Sequence, residues 1–347
     1  MNNPIDSNKM LSEDIDQTLK KRELFEQFRN KNILVTGSTG LIARVLVYTL
    51  LVANEKLNLN LTLFPIARNV EKAKRLYGDW YDSKALQFIF QDVREKIECD
   101  QKLDFVFHAA AATGSKTLIE RPIESFETQV LGMENILRLA ERDDAKVLYF
   151  SSMEIYGQPV IEGMSTEKDL GYVDPLVIRS GYPEAKRACE FLGKAFSEER
   201  GVFVINARLA QTFGPGVLKD DNRVFAQFIR GAINKEDLVL HTDGSSLGNY
   251  CYIRDVIEAL LLLIKVGKTG NSYNVVNEAT NVSIKDMAKL VANKFGNGKV
   301  VIDIPDGPTG YAPKVNLHLS GEKMRDLGWK PTYDLEEMFA RTIESFN

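Results

Sequence analysis

Cysteine is scarce in this chain. Three residues in 347, at positions 99, 189 and 251, are too few, odd in number and too widely spaced for a disulfide framework or for the paired-cysteine spacing of a zinc site. Buried thiols in a reducing compartment are the expected state, and no metal site is expected. Long apolar runs are also missing: Ala259–Val266 is apolar but far too short to cross a bilayer. The first thirty residues are polar and charged and lack the apolar centre of a secretion signal. No cationic run tracks along the chain, and a net charge of −4 gives no surface for a polyanion. Neither nucleic acid nor membrane is therefore an expected partner, and a cytoplasmic enzyme fits.

What is present is a rhythm. Apolar, β-rich runs at Ile33–Thr36, Leu61–Ala67, Leu86–Gln91, Asp104–Ala109, Lys146–Ser151 and Val202–Ala207 alternate with helix-period segments at Leu41–Ala53, Val70–Tyr77, Leu118–Arg142 and Gly181–Arg200. Continuous apolar strands separated by helices predict a parallel sheet covered on both faces, which right-handed crossovers make doubly wound. After Thr212 the rhythm breaks into loops bearing glycine and proline, including Gly214–Gly216 and Asp303–Pro313. The fold class read from this is α/β, a Rossmann-type doubly wound parallel sheet with a smaller C-terminal substrate-binding lobe. The expected division is a helical arm over 1–30, the dinucleotide domain over 31–212 and 253–278, and the substrate lobe over 213–252 and 279–347. Leu11, Ile15 and Leu19 are at helical spacing and should pack the arm on the body or on a second subunit.

The first strand runs into Thr36-Gly37-Ser38-Thr39-Gly40-Leu41-Ile42-Ala43, and a helix follows. Glycines 37 and 40 allow a tight turn and let the backbone approach a pyrophosphate at the helix N-terminus, with Ala43 small enough for helix–strand contact. Gly37, Ser38, Thr39, Gly40, Leu41 and Ile42 are thus candidate dinucleotide contacts. The second strand ends in Ala67-Arg68 where an NAD site usually carries an acid. Arg68 suits a 2′-phosphate and favours NADP(H) over NAD(H), its bland alternative being a solvated strand-end charge. Asp92 and Val93 follow the third strand and should meet the adenine edge. Ala109, Ala110 and Ala111 are small enough for a cofactor to lie against them, and His108 reads as a packed strand-end histidine.

Tyr182 and Lys186 are at i and i+4 on one helix, thirty residues after Ser152, so phenol and ammonium share a face. A cation beside a phenol favours the phenolate, and a serine hydroxyl from another segment can hold the same substrate oxygen. This is machinery for moving a proton on or off a carbinol while a hydride leaves or arrives.

With the TGSTGLIA turn, Asp104–Ala111, Ser151–Gly157, Tyr182–Lys186, Arg208–Gly216 and Leu327-Gly328-Trp329 in this order, the chain resembles the extended short-chain dehydrogenase/reductases. More narrowly, it is similar to the NAD(P)-dependent epimerase/dehydratase family that acts on nucleotide-linked sugars. The resemblance implies that Ser152 is the catalytic hydroxyl and Tyr182 the acid/base. Lys186 then lowers the tyrosine pKa and binds the nicotinamide ribose. It also implies a homodimer through the helices at Leu118–Arg142 and Gly181–Arg200.

By the same resemblance Glu154, two residues after the catalytic hydroxyl, is the candidate base for a C–H next to a transient ketone, or else a carboxylate bonded within its loop. Met153 stands where glucose dehydratases have an aspartate. Ser151, Gln211, Arg223 and Lys116 are the expected substrate contacts, Lys116 with a solvated lysine as its alternative. Gly248 stands where the family commonly has a diphosphate-binding arginine, and Gln129 and Gln211 where it has asparagine. A nucleotide-sugar enzyme running a redox-neutral cycle is the leading expectation. A net NADPH-dependent reductase of a keto sugar is the second, and a non-catalytic cofactor-sensing protein the remote third.

Overall fold

Strand β1 (Asn32–Thr36) carries Ile-Leu-Val-Thr, apolar on both faces, and is buried along all but its first residue. Such a strand is stable only between neighbours on each edge and layers on each face. A computed structural model describes residues 3–305 and 314–346, and residues 306–313 of the expected loop lie outside the described residues. In it β1 pairs in parallel with β2 (Thr62–Ala67) on one side and β4 (Phe105–His108) on the other. The next strands are β3 (Ile89–Phe90), β5 (Lys146–Ser152) and β6 (Val204–Leu209).

Helix α1 (Lys9–Leu19) precedes the sheet, and α2 (Leu41–Leu57), α3 (Val70–Tyr77), α4 (Ser115–Glu120), α5 (Pro122–Asp143) and α6 (Gly181–Arg200) connect its strands. The helix expected as one piece over Leu118–Arg142 is two. Arg121 leaves helical geometry at φ −135°, and Pro122, which has no N–H to donate, opens α5. The third strand is shorter than Leu86–Gln91: Ile89 and Phe90 pair with Ile66 and Ala67 of β2, and Leu86 contributes only a single bridge to Leu63.

Beyond β6 come β7 (Gln211–Phe213), α7 (Val224–Asn234), β8 (Leu238–Leu240), β9 (Leu247–Gly248), β10 (Tyr250–Tyr252) and α8 (Ile253–Val266). Then follow β11 (Asn271–Val275), β12 (Val282–Ser283), α9 (Ile284–Lys294), β13 (Val300–Ile302), α10 (Glu322–Asp326) and α11 (Leu335–Glu344). The main sheet is seven-stranded in the order β11-β6-β5-β4-β1-β2-β3, all neighbours parallel. Its seventh strand, β11, is absent from the six read in the sequence. As an edge strand spelled Asn-Ser-Tyr-Asn-Val, it has no apolar run to advertise it.

Strand order reverses between β1 and β4. The carboxyl ends of those strands therefore open onto the crevice where such folds bind ligands. A second core, built around Phe213, Phe225, Ile229, Met287, Val291 and Phe339, forms among α7, α9, α11 and the short ladders, with Phe213 stacked on Phe225 at 4.9 Å. Helix α1, capped by the Asn8 side chain on the Leu11 N–H, buries Leu11, Ile15 and Leu19 against the body. Phe28 meets Phe105 edge-on at 5.0 Å. No described helix is long and apolar enough to cross a membrane.

Candidate active site

The glycine-rich turn is shaped by close approach. Gly37 has φ +65°, and a Cβ there would come within 2.9 Å of the Ala109 and Ala110 backbone, so only glycine fits. Thr36 Oγ1 accepts the N–H groups of Ala109 and Ala110 at 3.1 and 3.0 Å, fixing the end of β4 against the turn. Ser38 is buried and donates to the Ile66 carbonyl at 2.9 Å, while the Tyr77 hydroxyl donates to the Ser38 carbonyl at 2.7 Å. Ser38 thus shapes the turn through its backbone and its anchor to β2.

Gly40 is the N-cap of α2 and supplies no side-chain oxygen, so the amides of the first turn stay available to an anion. Those two features, a cradle a Cβ would fill and an uncapped helix start, fit a dinucleotide pyrophosphate. His108 is fully buried beside Thr36 Oγ1, with Nδ1 at 2.8 Å. Burial, with the Lys186 charge behind it, lowers its pKa to about 3, so it stays neutral and packed.

Asp92 and Arg68 are brought together at the far end of the crevice. The Arg68 side chain is 62% exposed, its Nη1 3.4 Å from Glu124 and 3.8 Å from Asp92. Burial raises the Asp92 pKa, but the Arg94 hydrogen bonds and charge, with Arg68, bring it below the ordinary value. Both Asp92 oxygens are engaged by Arg94, at 3.1 and 2.9 Å, and Val93 is buried behind them.

At the reacting centre, Ser152 ends β5 and its Oγ accepts the Glu154 N–H at 3.2 Å, capping a short 3-10 turn. Tyr182 and Lys186 come from the first two turns of α6. Burial pushes the Tyr182 phenol well above its usual value, and the Glu154 charge adds to that. A Ser152 hydrogen bond and the cations of Arg179 and Arg223 pull it back down. Lys186 was expected to do this pulling. Instead its ammonium turns to the Phe150 carbonyl at 2.6 Å and sits 4.6 Å from the Tyr149 ring centre and 5.7 Å from that of Tyr182. Burial lowers the Lys186 pKa to about 8.

The expected substrate contacts divide. Arg223 is near enough for its charge to act on Tyr182 but is held by Asp221, its Nε 3.0 and 3.1 Å from the two carboxylate oxygens. Gln211 is exposed at the start of β7. Ser151 is not in the cleft: alternation along β5 turns it inward, where its Oγ donates to Glu190 at 2.6 Å, the carboxylate that also binds Arg208. Lys116 is the solvated lysine of its alternative reading, 84% exposed and 3.7 Å from Glu120.

Arg179 was not anticipated. It grips Glu154 with a 2.9 Å hydrogen bond to Oε1 and a 2.9 Å ion-pair contact to Oε2, and its position three residues before Tyr182 was the available signal. The room beside Gly248 is taken by Met153, whose Cε lies 3.3 Å from where a Cβ would stand. Among the described residues no cluster of histidine, cysteine and carboxylates could hold a metal.

The NAD dependent epimerase/dehydratase family matches residues 33–277. UDP-glucuronic acid decarboxylase 6 of Arabidopsis thaliana is 30% identical over 330 residues, covering 94% of this chain and 92% of that one. In fold the chain is similar to UDP-glucose 4-epimerase of Thermotoga maritima, solved with UDP-glucose, at TM-score 0.76 and 22% identity over 91% of this chain and 98% of that one. It is also similar to dTDP-glucose 4,6-dehydratase of Streptomyces venezuelae, solved with NAD, at TM-score 0.75 and 20% identity over 91% and 96%.

Proposed function

The chain belongs to the NAD dependent epimerase/dehydratase family, and we propose that it oxidises a carbinol of a nucleotide-activated sugar and returns the hydride within one catalytic cycle. The observation that carries this reading is the meeting of Ser152 and Tyr182 at the carboxyl end of β5, beside the cradle of Gly37 and the open start of α2. Gly37–Ile42 and Ala109–Ala111 would hold the dinucleotide, with Lys186 at its ribose. When bound, NAD supplies the hydride acceptor. Ser152 holds the carbinol oxygen, and the phenolate form of Tyr182 takes its proton as the hydride leaves and gives it back on return. Arg223 would meet the substrate's diphosphate by exchanging Asp221 for phosphate. In this reading the second core, over 213–252 and 279–347, is the substrate lobe, residues 31–212 and 253–278 the dinucleotide domain, and 1–30 an arm.

For the dinucleotide, Arg68 speaks for NADP, but two carboxylates already share its charge and would repel a 2′-phosphate. With NAD present in the solved Streptomyces relative, NAD is the form proposed. Titrating both dinucleotides into wild type and Arg68→Ala decides it. An NADP preference that the substitution erases would restore the phosphate reading.

The exposed apolar side chains Ile119, Ile123, Phe126 and Phe191 on α4, α5 and α6 support a homodimer through those helices. Ile123→Asp with Phe191→Asp should then give monomers by light scattering. Three free, buried cysteines suit the cytoplasm.

UDP-glucuronic acid is the first substrate to test, because the curated relative is named for it. Incubation with a panel of nucleotide sugars, following cofactor redox state and product mass, tests the whole reading. A product of changed mass or configuration with no net cofactor change is expected. Stoichiometric consumption of NADPH would replace the cycle with a net reductase.

A further inference from the structure

Glu154 and Arg179 come from two short turns that face each other across the reacting centre. Glu154 leaves β5 on the turn Met153–Tyr156, and Arg179 belongs to the turn Ile178–Ser180 just ahead of α6. Arg179 Nη2 donates to Glu154 Oε1 at 2.9 Å and Nη1 makes an ion-pair contact with Oε2 at 2.9 Å, the Arg179 side chain being 11% and that of Glu154 36% exposed. The guanidinium carbon lies 5.8 Å from the centre of the Tyr182 ring.

One charge-assisted hydrogen bond and a second close charge contact engage both carboxylate oxygens and restrain the plane of the group. A carboxylate held so has little freedom to swing toward a C–H bond. Met153, between Ser152 and Glu154, has no proton to exchange. The centre therefore offers Tyr182 as its mobile acid and base, with a neutral, rigid pair beside it.

We propose that Arg179 and Glu154 act as one positioning unit for Tyr182, and that Glu154 is withheld from C–H abstraction. This deepens the carbinol-oxidation reading and rests on it. Between hydride removal and return, the middle step then needs no side-chain base. From a keto acid such as oxidised UDP-glucuronic acid, the bond to the carboxylate breaks, carbon dioxide leaves, the bonding pair passes to the ketone as an enolate, and water supplies the proton that restores the C–H. The charged and titratable groups that face Tyr182 are Lys186 on its own helix, Tyr149 on β5, Glu154, Arg179, and Arg223 with its partner Asp221 ahead of α7. Of these, Glu154 and Arg179 form the bound pair whose members push the phenol in opposite directions, the anion raising its pKa and the cation lowering it.

The test uses Arg179→Met, Glu154→Gln and the double variant in the full-length protein. With UDP-glucuronic acid and NAD as probes, the pH dependence of hydride transfer is read from reduced-nicotinamide absorbance. The proposal expects the apparent pKa to rise in Arg179→Met, to fall in Glu154→Gln and to return near the wild-type value in the double variant. Rates should fall by roughly 10-fold or more in each single variant, the scale of a lost charge-assisted pair. The double variant should recover most of that loss.

A double variant as slow as Glu154→Gln would make Glu154 a chemical base and overturn the proposal. So would a shift of the same sign in both single variants. Thermal unfolding of the four ligand-free proteins gives an arm that needs no substrate. Each single variant should melt earlier and the double variant should regain much of the loss, whereas additive losses would dissolve the unit. If the wild type fails to turn over any nucleotide sugar while the unfolding cycle is coupled, the substrate reading has failed and the pair stands.

Discussion

Asp14 in the N-terminal arm and Lys186 at the reacting centre are both buried ionisable side chains, 2% and 3% exposed, yet their surroundings differ in kind. Around Asp14 the partners close on themselves. One oxygen accepts the Tyr252 hydroxyl at 2.5 Å, the other accepts Arg341 at 2.8 Å, and Arg341 Nε donates back to the Tyr252 hydroxyl at 2.9 Å. Burial outweighs these bonds and lifts Asp14 to about 6. Lys186 has three protons and, among the described residues, one hydrogen-bond acceptor, the Phe150 carbonyl, with an aromatic ring on its flank. The closed network staples α1 to the start of α8 and to α11. The open one leaves donor capacity beside Tyr182. Saturation marks the structural cluster, and directed incompleteness the chemical one.

Breaking the open cluster should cost the most. Tyr182→Phe is expected to lower turnover on the order of 10²- to 10⁴-fold, the range for a lost acid/base, with an unchanged melting curve. A comparable fall in melting temperature would show that the phenol holds the fold instead. Breaking the closed cluster should reverse the pattern. Asp14→Ala takes the buried anion from Arg341 and Tyr252, leaving Arg341 the Tyr252 hydroxyl and the more exposed Glu13 at 3.6 Å, and should cost about 1–3 kcal/mol in urea denaturation, with turnover per folded molecule retained.

Lys186→Met sharpens the contrast with an effect of the opposite sign. A lysine at about 8 in the fold and near 10.5 when unfolded binds fewer protons folded than unfolded between those pH values. Wild-type stability should therefore rise with pH across that window, and below it the fold carries the full penalty of the buried charge. The methionine variant should lose this slope and gain about 1–3 kcal/mol at neutral pH while losing activity, taking a pKa unit as about 1.4 kcal/mol. A destabilised variant with the slope intact would contradict the placement of Lys186 among unsatisfied groups.

Much of this was legible in the chain, for reasons that differ by residue. Gly37 and Gly40 stand out because a turn between strand and helix tolerates few alternatives, and the apolar strands because burial on both faces leaves no alternation. The break at Pro122 is also written there, in a proline inside a helical pattern. Other features depend on distance in space. Arg68 meets Asp92 and Glu124 across 24 and 56 residues of sequence, and no local pattern reports it. Arg179 grips Glu154 across 25 residues from a turn without helical spacing. Ser151 and Ser152 are neighbours of one type, and only the direction of β5 shows which faces Glu190 and which faces the cleft.

The most direct measurement follows bound dinucleotide and product in a single turnover with UDP-glucuronic acid and its neutral counterparts. The account predicts that reduced nicotinamide rises and falls within the turnover, leaving oxidised cofactor and an altered sugar, and that Tyr182→Phe abolishes the rise. Stoichiometric, lasting oxidation or reduction of the cofactor would contradict it, as would an altered sugar formed with no reduced nicotinamide at any time.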